Sequence, residues 1–204
     1  VKDEIAENHK KYLERQALFK SFGYDVDKER EFILAAAQPI SGRILEAGTG
    51  KGHFALALAR AGHSFVTFDI SQDEQQCAKL NIAHFGFEKH VDFRIEDGEH
   101  TSFADGEFDV IFSVNVLHHL EHAYRVLNEF IRILSPNGKI IIADFTPQGF
   151  EIVDKIHQEE GHVHSVGNVN LDQTAVYFMI QGFSVTRVQS AHQAVLVTKR
   201  GTTV

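Results

Sequence analysis

Cysteine is almost missing from this chain: among 204 residues only Cys77 carries a thiol, so no intrachain disulfide can form. That fits a reducing compartment. No run of eighteen apolar residues occurs, which leaves no candidate for a membrane-spanning helix. The opening stretch VKDEIAENHKKYLE is charged and lacks the apolar core of a secretory signal. Basic side chains are the minority, 20 against 28 acidic ones, for a formal charge of −8. An acidic surface repels phosphate backbones at long range, which argues against a nucleic-acid partner. Tracts of low complexity, linkers rich in Pro, Gly or Ser, and internal repeats are absent too. The expectation is one soluble, cytoplasmic domain, 43% hydrophobic and 24% charged, with an ordinary core.

Histidine, by contrast, is plentiful at 13 residues, and the two ends of the chain differ from its middle. Residues 3–22 carry Ile5, Tyr12, Leu13, Leu18, Phe19 and Phe22 at roughly helical spacing, with Glu7 four residues before Lys11. Gly23 ends that helix. A second helix starts with Asp25 or Asp27 as its cap and runs to Gln38, where Pro39 stops it.

From residue 43 strands and helices alternate. Arg43 to Ala47 is a short strand of buried type, followed by the glycine-rich Gly48 to Gly52 and an apolar helix ending at Gly62. His63 to Asp69 is the second strand. Ser71 with Glu74 three residues on reads as a capping box, opening a helix towards Gly86. Val91 to Ile95 and Phe108 to Val114 are the third and fourth strands. A helix over 121–134 and the turn Ser135-Pro136-Asn137-Gly138 lead into a fifth, nearly all-apolar strand from Lys139 to Phe145. Parallel neighbours need crossovers, so this alternation predicts a doubly wound α/β sheet. Ser184–Ser190 and Gln193–Lys199 are joined by only Ala191 and His192. So short a link forbids a crossover and predicts an antiparallel hairpin.

In an open α/β sheet, ligands bind at the carboxyl ends of the strands, where strand order reverses. Beside the first strand the sequence reads Glu46-Ala47-Gly48-Thr49-Gly50-Lys51-Gly52. Glycine permits a tight turn and close approach of a ligand to backbone. Asp69 ends the second strand, where a carboxylate can accept from both hydroxyls of a ribose. By itself such a loop is as often only a turn, and Asp69 only a solvated strand end; their joint occurrence at this distance points to a nucleoside ligand. A dinucleotide fingerprint would need glycine at position 53, which is His53. Glu46 would repel a pyrophosphate and attract an ammonium group. Lys51 lacks the spacing of a phosphate-loop lysine.

The segment Glu46 to Gly52 resembles the first motif of the class I S-adenosylmethionine-dependent methyltransferases, and the resemblance extends over residues 43–145. It implies that Glu46, Ala47, Gly48, Thr49, Gly50 and Gly52 surround the cofactor, that Asp69 holds the ribose, and that Ile70 packs on the adenine. Ile95-Glu96-Asp97-Gly98 resembles the segment after the third strand, with Asp97 meeting the adenine amino group. Residues 108–120, including Asn115, resemble the fourth-strand motif of the ubiquinone and menaquinone methyltransferases. Leu134 to Lys139 is similar to that subgroup's L-x-P-G-G turn, with Asn137 for the first glycine. The family's antiparallel last strand agrees with the hairpin. The resemblance thus implies a seven-stranded Rossmann-like domain divided into a helical lid (1–40), a cofactor core (43–145), a substrate-side insert (146–183) and a hairpin (184–199). S-adenosylmethionine would be the cofactor and a small molecule the methyl acceptor.

Methyl transfer is an in-line displacement, to which positioning contributes most and a base contributes where the nucleophile carries a proton. His118 and His119 follow the fourth strand; adjacent helical residues diverge by about 100°, so at most one faces the cleft. They equally serve as a plain helix entrance. His157, His162 and His164 sit among Glu159 and Glu160, a composition seen at metal sites but without the H-E-x-x-H spacing. A polar segment lining a substrate cleft is the expectation there, with no metal. His118, His162 and His164 are the acceptor-side candidates. The other histidines, His53 and His192 among them, read as surface positions, and Cys77 as a packing residue. Phe19, Phe22 and Tyr24 either fold over the cofactor as a lid or belong to the ordinary core, and the lid is the expectation, since the sheet begins only at Arg43. A nicotinamide-dependent oxidoreductase and a non-catalytic S-adenosylmethionine-binding protein are the alternative readings.

Overall fold

The computed structural model describes residues 2–159, 161 and 167–200. Helix α1 (Lys2–Ser21) and helix α2 (Val26–Ala36) precede strand β1 (Ile44–Ala47). Then follow α3 (His53–Arg60), β2 (Phe65–Asp69), α4 (Gln72–His84), β3 (Val91–Ile95), β4 (Phe108–Val114) and α5 (Ala123–Ile133). The chain continues through β5 (Leu134–Phe145), α6 (Pro147–Glu159), α7 (Leu171–Ile180), β6 (Phe183–Gln189) and β7 (Gln193–Arg200). Single 3-10 turns occupy Glu88–His90 and Leu117–His119.

The seven strands lie in the order β3-β2-β1-β4-β5-β7-β6. Neighbours from β3 to β5 are parallel, and β7 runs antiparallel to both β5 and β6. Strand order therefore reverses between β1 and β4, and the carboxyl ends of these two strands frame a crevice. Alternation along each strand builds a core on both faces. Leu45, Ile111, Ile140 and Ile142 pack with α5 and α7, while Ile44, Val110, Phe112 and Ile141 pack with α2, α3 and α4. Their near-complete burial explains why these strands read as continuous apolar runs.

Asp25 is the cap of α2, its Oδ1 accepting from Lys28 N at 3.3 Å, and the helix closes at Ala36, before Gln38. Only half of the expected box at Ser71 forms: Oγ accepts from Glu74 N, but Ser71 N donates to Asp69 Oδ1 at 2.9 Å. The complete box is Asn170 with Gln173, at the start of α7. The expected turn at 135–138 is a bulge within β5. Pairing jumps from Phe108↔Leu134 to Val110↔Lys139, and Ser135 Oγ anchors the bulge to Asp109 Oδ1 at 2.8 Å. Phe19, Phe22 and Tyr24 do not cover the crevice. They pack with Phe145, Ile152 and Ile156 in a third cluster that ties the α1–α2 corner to α6, because aromatic burial is better satisfied against that apolar helix face.

Candidate functional site

The glycine loop is shaped by its own backbone. Gly48 N and Thr49 N both donate to Phe68 O, at 2.9 and 3.0 Å, which draws the end of β1 against β2. Gly48 has φ +90°, and a Cβ there would lie 2.3 Å from Val116 Cγ2, so glycine is required. Asp69 then locks the loop: Oδ2 accepts from Gly50 N at 2.7 Å and Oδ1 from Ser71 N at 2.9 Å. Each oxygen keeps a second lone pair for a hydroxyl donor.

Beyond the loop lies a cavity of about 560 Å³ at the carboxyl ends of β1, β2 and β4. Glu46, Ala47, Gly48, Thr49, Gly50, Asp69, Ile70, Asp97, Gly98 and Asn115 all line it. Ile70 presents its apolar side chain at the rim of the cavity, 71% exposed. Gly52 is the exception in the expected set. It packs on α4, where a Cβ would meet Ala78 Cβ at 2.8 Å, so its role is to seat the helix.

Glu46 is 1% exposed, although it borders the cavity. Burial pushes its carboxyl up to about 8; the Thr67 hydroxyl, donating to Oε2 at 2.6 Å, pulls the other way, and the Asp69 charge adds to the rise. A buried carboxyl held this high favours the arrival of a cation that restores its charge.

Sequence reasoning missed Arg30. It interrupts the apolar stripe Val26, Ile33 and Leu34 of α2, and that interruption was the available signal. The guanidinium reaches the cavity wall, 8% exposed, and touches Tyr24 Oη at 3.4 Å. Asn115 adopts the left-handed region, φ +57°, unusual for a residue with a side chain. Oriented to satisfy both neighbours, its amide oxygen accepts from Arg30 at 2.9 Å and its NH2 donates to Gln193 Oε1 at 3.0 Å. Gln193 in turn donates to Tyr24 Oη at 2.8 Å. Arg30 Nε has no partner, and among the described residues no carboxylate forms an ion pair with it. A buried cation in this state is a receptor for an anion.

The two adjacent histidines separate as the helical geometry required, but in the opposite sense to the one expected. His119 lines the cavity; His118 does not. The His118 ring is 3% exposed, with Nδ1 2.6 Å from Asp144 Oδ1, and its backbone N donates to Asp144 Oδ2 at 3.1 Å. The strong carboxylate at the end of β5 captures it and turns its neighbour outward. His162 and His164 lie outside the described residues; His157 is on α6. Among the described residues no group of three or more His, Cys, Asp or Glu side chains is arranged to hold a metal ion.

Two histidines expected at the surface are not there. His192 Nδ1 lies 2.9 Å from Glu29 Oε1 under the β6–β7 connection. His53 stacks on Tyr12, ring centroids 5.3 Å apart, and burial pushes its imidazole down to about 3, with Arg30 and other cations acting in the same direction. Glu74, expected only as part of a capping box, His122, expected at the surface, and Glu99 also line the cavity.

Residues 45–142 match the family described as methyltransferase domain. The ubiquinone/menaquinone biosynthesis C-methyltransferase UbiE of Geotalea daltonii is 26% identical over 140 residues, covering 67% of this chain and 60% of that protein. A SAM-dependent methyltransferase from Aquifex aeolicus superposes with a TM-score of 0.64 at 16% identity, over 83% of this chain and 88% of the other. The [4+2]-cyclase SpnF superposes with a TM-score of 0.68 at 16% identity, over 85% and 81%. The likeness to solved structures is one of fold, and a cyclase shares it. The chain spans about a quarter to three fifths of the length of the curated relatives it matches.

Proposed function

We propose, from the match of residues 45–142 to the methyltransferase-domain family, that the protein transfers a methyl group from S-adenosylmethionine to a small-molecule acceptor, leaving S-adenosylhomocysteine. The observation that carries this reading is the pairing, in one cavity, of a buried carboxyl seeking a cation with a buried guanidinium lacking an anion. An amino-acid zwitterion offers both charges. Glu46 would hold the ammonium and Arg30 the carboxylate, Asp69 the ribose hydroxyls, and Ile70, Asp97 and Gly98 the adenine. The glycine cradle at Gly48, which a Cβ would fill, fits the same group. A pyrophosphate would instead have to lie beside the buried Glu46 carboxyl, which disfavours a nicotinamide dinucleotide.

The bound sulfonium supplies an activated methyl group. The chain contributes position and dryness: apolar walls at Val114, Val116, Leu120 and Phe130 exclude water from the crevice. For an acceptor that gives up a proton, His119 is one of three imidazoles at the wall, with His53 and His122, and the ring of His118, clamped on Asp144, packs 4.0 Å from it. His162 and His164 remain acceptor-side candidates on sequence grounds. The same proposal takes the chain as one domain acting in the cytoplasm on a small molecule rather than nucleic acid, supported by the charge of −8 and the single cysteine. No helix among the described residues is long and apolar enough to cross a membrane.

A thermal-shift titration with S-adenosylhomocysteine, S-adenosylmethionine and NADH tests the reading. At a hundred times its dissociation constant a ligand adds about 2.7 kcal/mol. The sulfur ligands should stabilise the wild type, NADH should not, and Asp69→Ala should abolish the effect. Folded wild-type protein stabilised by NADH alone would refute it.

A further inference from the structure

A second cavity, of about 410 Å³, opens between α1, α4 and the end of the glycine loop. We propose that it binds the anionic end of the methyl acceptor, a small carboxylate with a flat apolar body. This rests on the methyl-transfer reading and names the substrate class for it.

Charge is the first argument. Lys11, Arg15 and Lys51 line the cavity together with Glu14, three cationic side chains to one anionic, in a protein of net charge −8. Glu7 lies 3.2 Å from Lys11, but that pair is an exposed helical one, with both side chains about 70% exposed, and leaves most of the ammonium to other partners. A concave wall focuses the field of such a cluster. The second argument is an unpaired polar atom. His53 Nδ1 is buried without a hydrogen-bond partner, and His53 lines this cavity. Burial keeps the ring neutral at ordinary pH, so it can offer one N–H to a carboxylate without itself adding charge. The walls between are apolar: Tyr12, stacked on His53, and Leu18.

Position is the third. Lys51 and His53 line both cavities, so a molecule seated in the second abuts whatever occupies the first. The site is also preformed. Asn8 Nδ2 donates to Asn81 Oδ1 at 2.8 Å, and Asn81 Nδ2 donates to the Lys51 carbonyl at 2.9 Å, so α1 is pinned through α4 to the glycine loop. The loop that shapes the first cavity and the helix that lines the second are thus joined through Asn81.

Benzoate and its neutral isostere benzamide are suitable probes. Binding to the whole chain is followed by ligand-observed NMR, for the wild type and for the double variant Lys11→Gln, Arg15→Gln, with S-adenosylhomocysteine affinity measured alongside. Benzoate should bind the wild type, benzamide about tenfold more weakly or not at all, and the double variant should lose benzoate by on the order of tenfold. S-adenosylhomocysteine affinity should stay within about twofold, since neither substituted residue lines the first cavity. A shift of the His53 imidazole nitrogen signals with benzoate, absent with benzamide, gives a readout in the unmutated protein. Equal binding of the two probes, an unaffected double variant, or no benzoate binding would overturn the proposal. Failure of S-adenosylhomocysteine to bind the wild type, with the benzoate results intact, would instead overturn the methyl-transfer reading.

Discussion

Lowering the pH from 7 to 6 should weaken S-adenosylhomocysteine binding about ninefold, because Glu46 must lose a proton to receive the ligand's ammonium. The carboxyl is 1% exposed and burial lifts it to about 8, well above its ordinary 4.5. The sign follows directly. A raised carboxyl favours the protonated form, so its contribution to stability is complete below about 4.5 and is lost as pH rises through 8. An adjacent ammonium reverses that preference in the complex. With a value near 8, about nine in ten molecules carry the Glu46 proton at pH 7, so binding should release close to one proton there. Calorimetric titrations in two buffers of different ionisation enthalpy measure that number directly. Glu46→Gln should release none and show a flat profile between pH 6 and 7. A wild-type protein that binds the ligand with no proton release and no pH dependence would refute the reasoning.

Other outcomes are equally specific. Gly48→Ala places a Cβ 2.3 Å from Val116 Cγ2 at φ +90°, and should abolish S-adenosylhomocysteine binding while lowering stability by about 1–3 kcal/mol, read by denaturant unfolding. Asp144→Asn removes the charged partner of buried His118 and should cost about 1.5–3 kcal/mol of stability, yet leave ligand affinity nearly unchanged, since neither residue lines the cavity. Glu129, bonded by Arg132 and by the N–H and hydroxyl of Thr101, is held down at about 2, mainly by the Arg132 hydrogen bonds. Its contribution is complete above about 4.5 and lost as pH falls towards 2. Glu129→Gln should therefore be less stable than wild type at pH 7, with the gap narrowing steadily below pH 4.5 and closing only towards pH 2 in unfolding titrations.

What the sequence displayed well was whatever depends on pattern. Strand–helix alternation and the two-residue link at Ala191 and His192 predicted the sheet and its antiparallel strand, and ten of the eleven positions expected at a cofactor line one cavity. Gly52 departed because a glycine can serve close helix packing as well as ligand approach. What depends on long-range partners was hidden. His118 and His119 are indistinguishable until Asp144, 26 residues on, claims one of them. Arg30 reads as an ordinary charged residue until α2 is laid against the crevice, and His53 as a surface residue until α1 covers it with Tyr12. Phe19, Phe22 and Tyr24 were apolar in any reading; only the position of α6 decided what they cover.

The most direct test is a crystal structure with S-adenosylhomocysteine. The expected result is a ligand in the 560 Å³ cavity, with its ribose hydroxyls on Asp69, its ammonium on Glu46 and its carboxylate on Arg30. A ligand bound elsewhere, or lying in the cavity with its amino-acid end away from both Glu46 and Arg30, would contradict the assignment of the site.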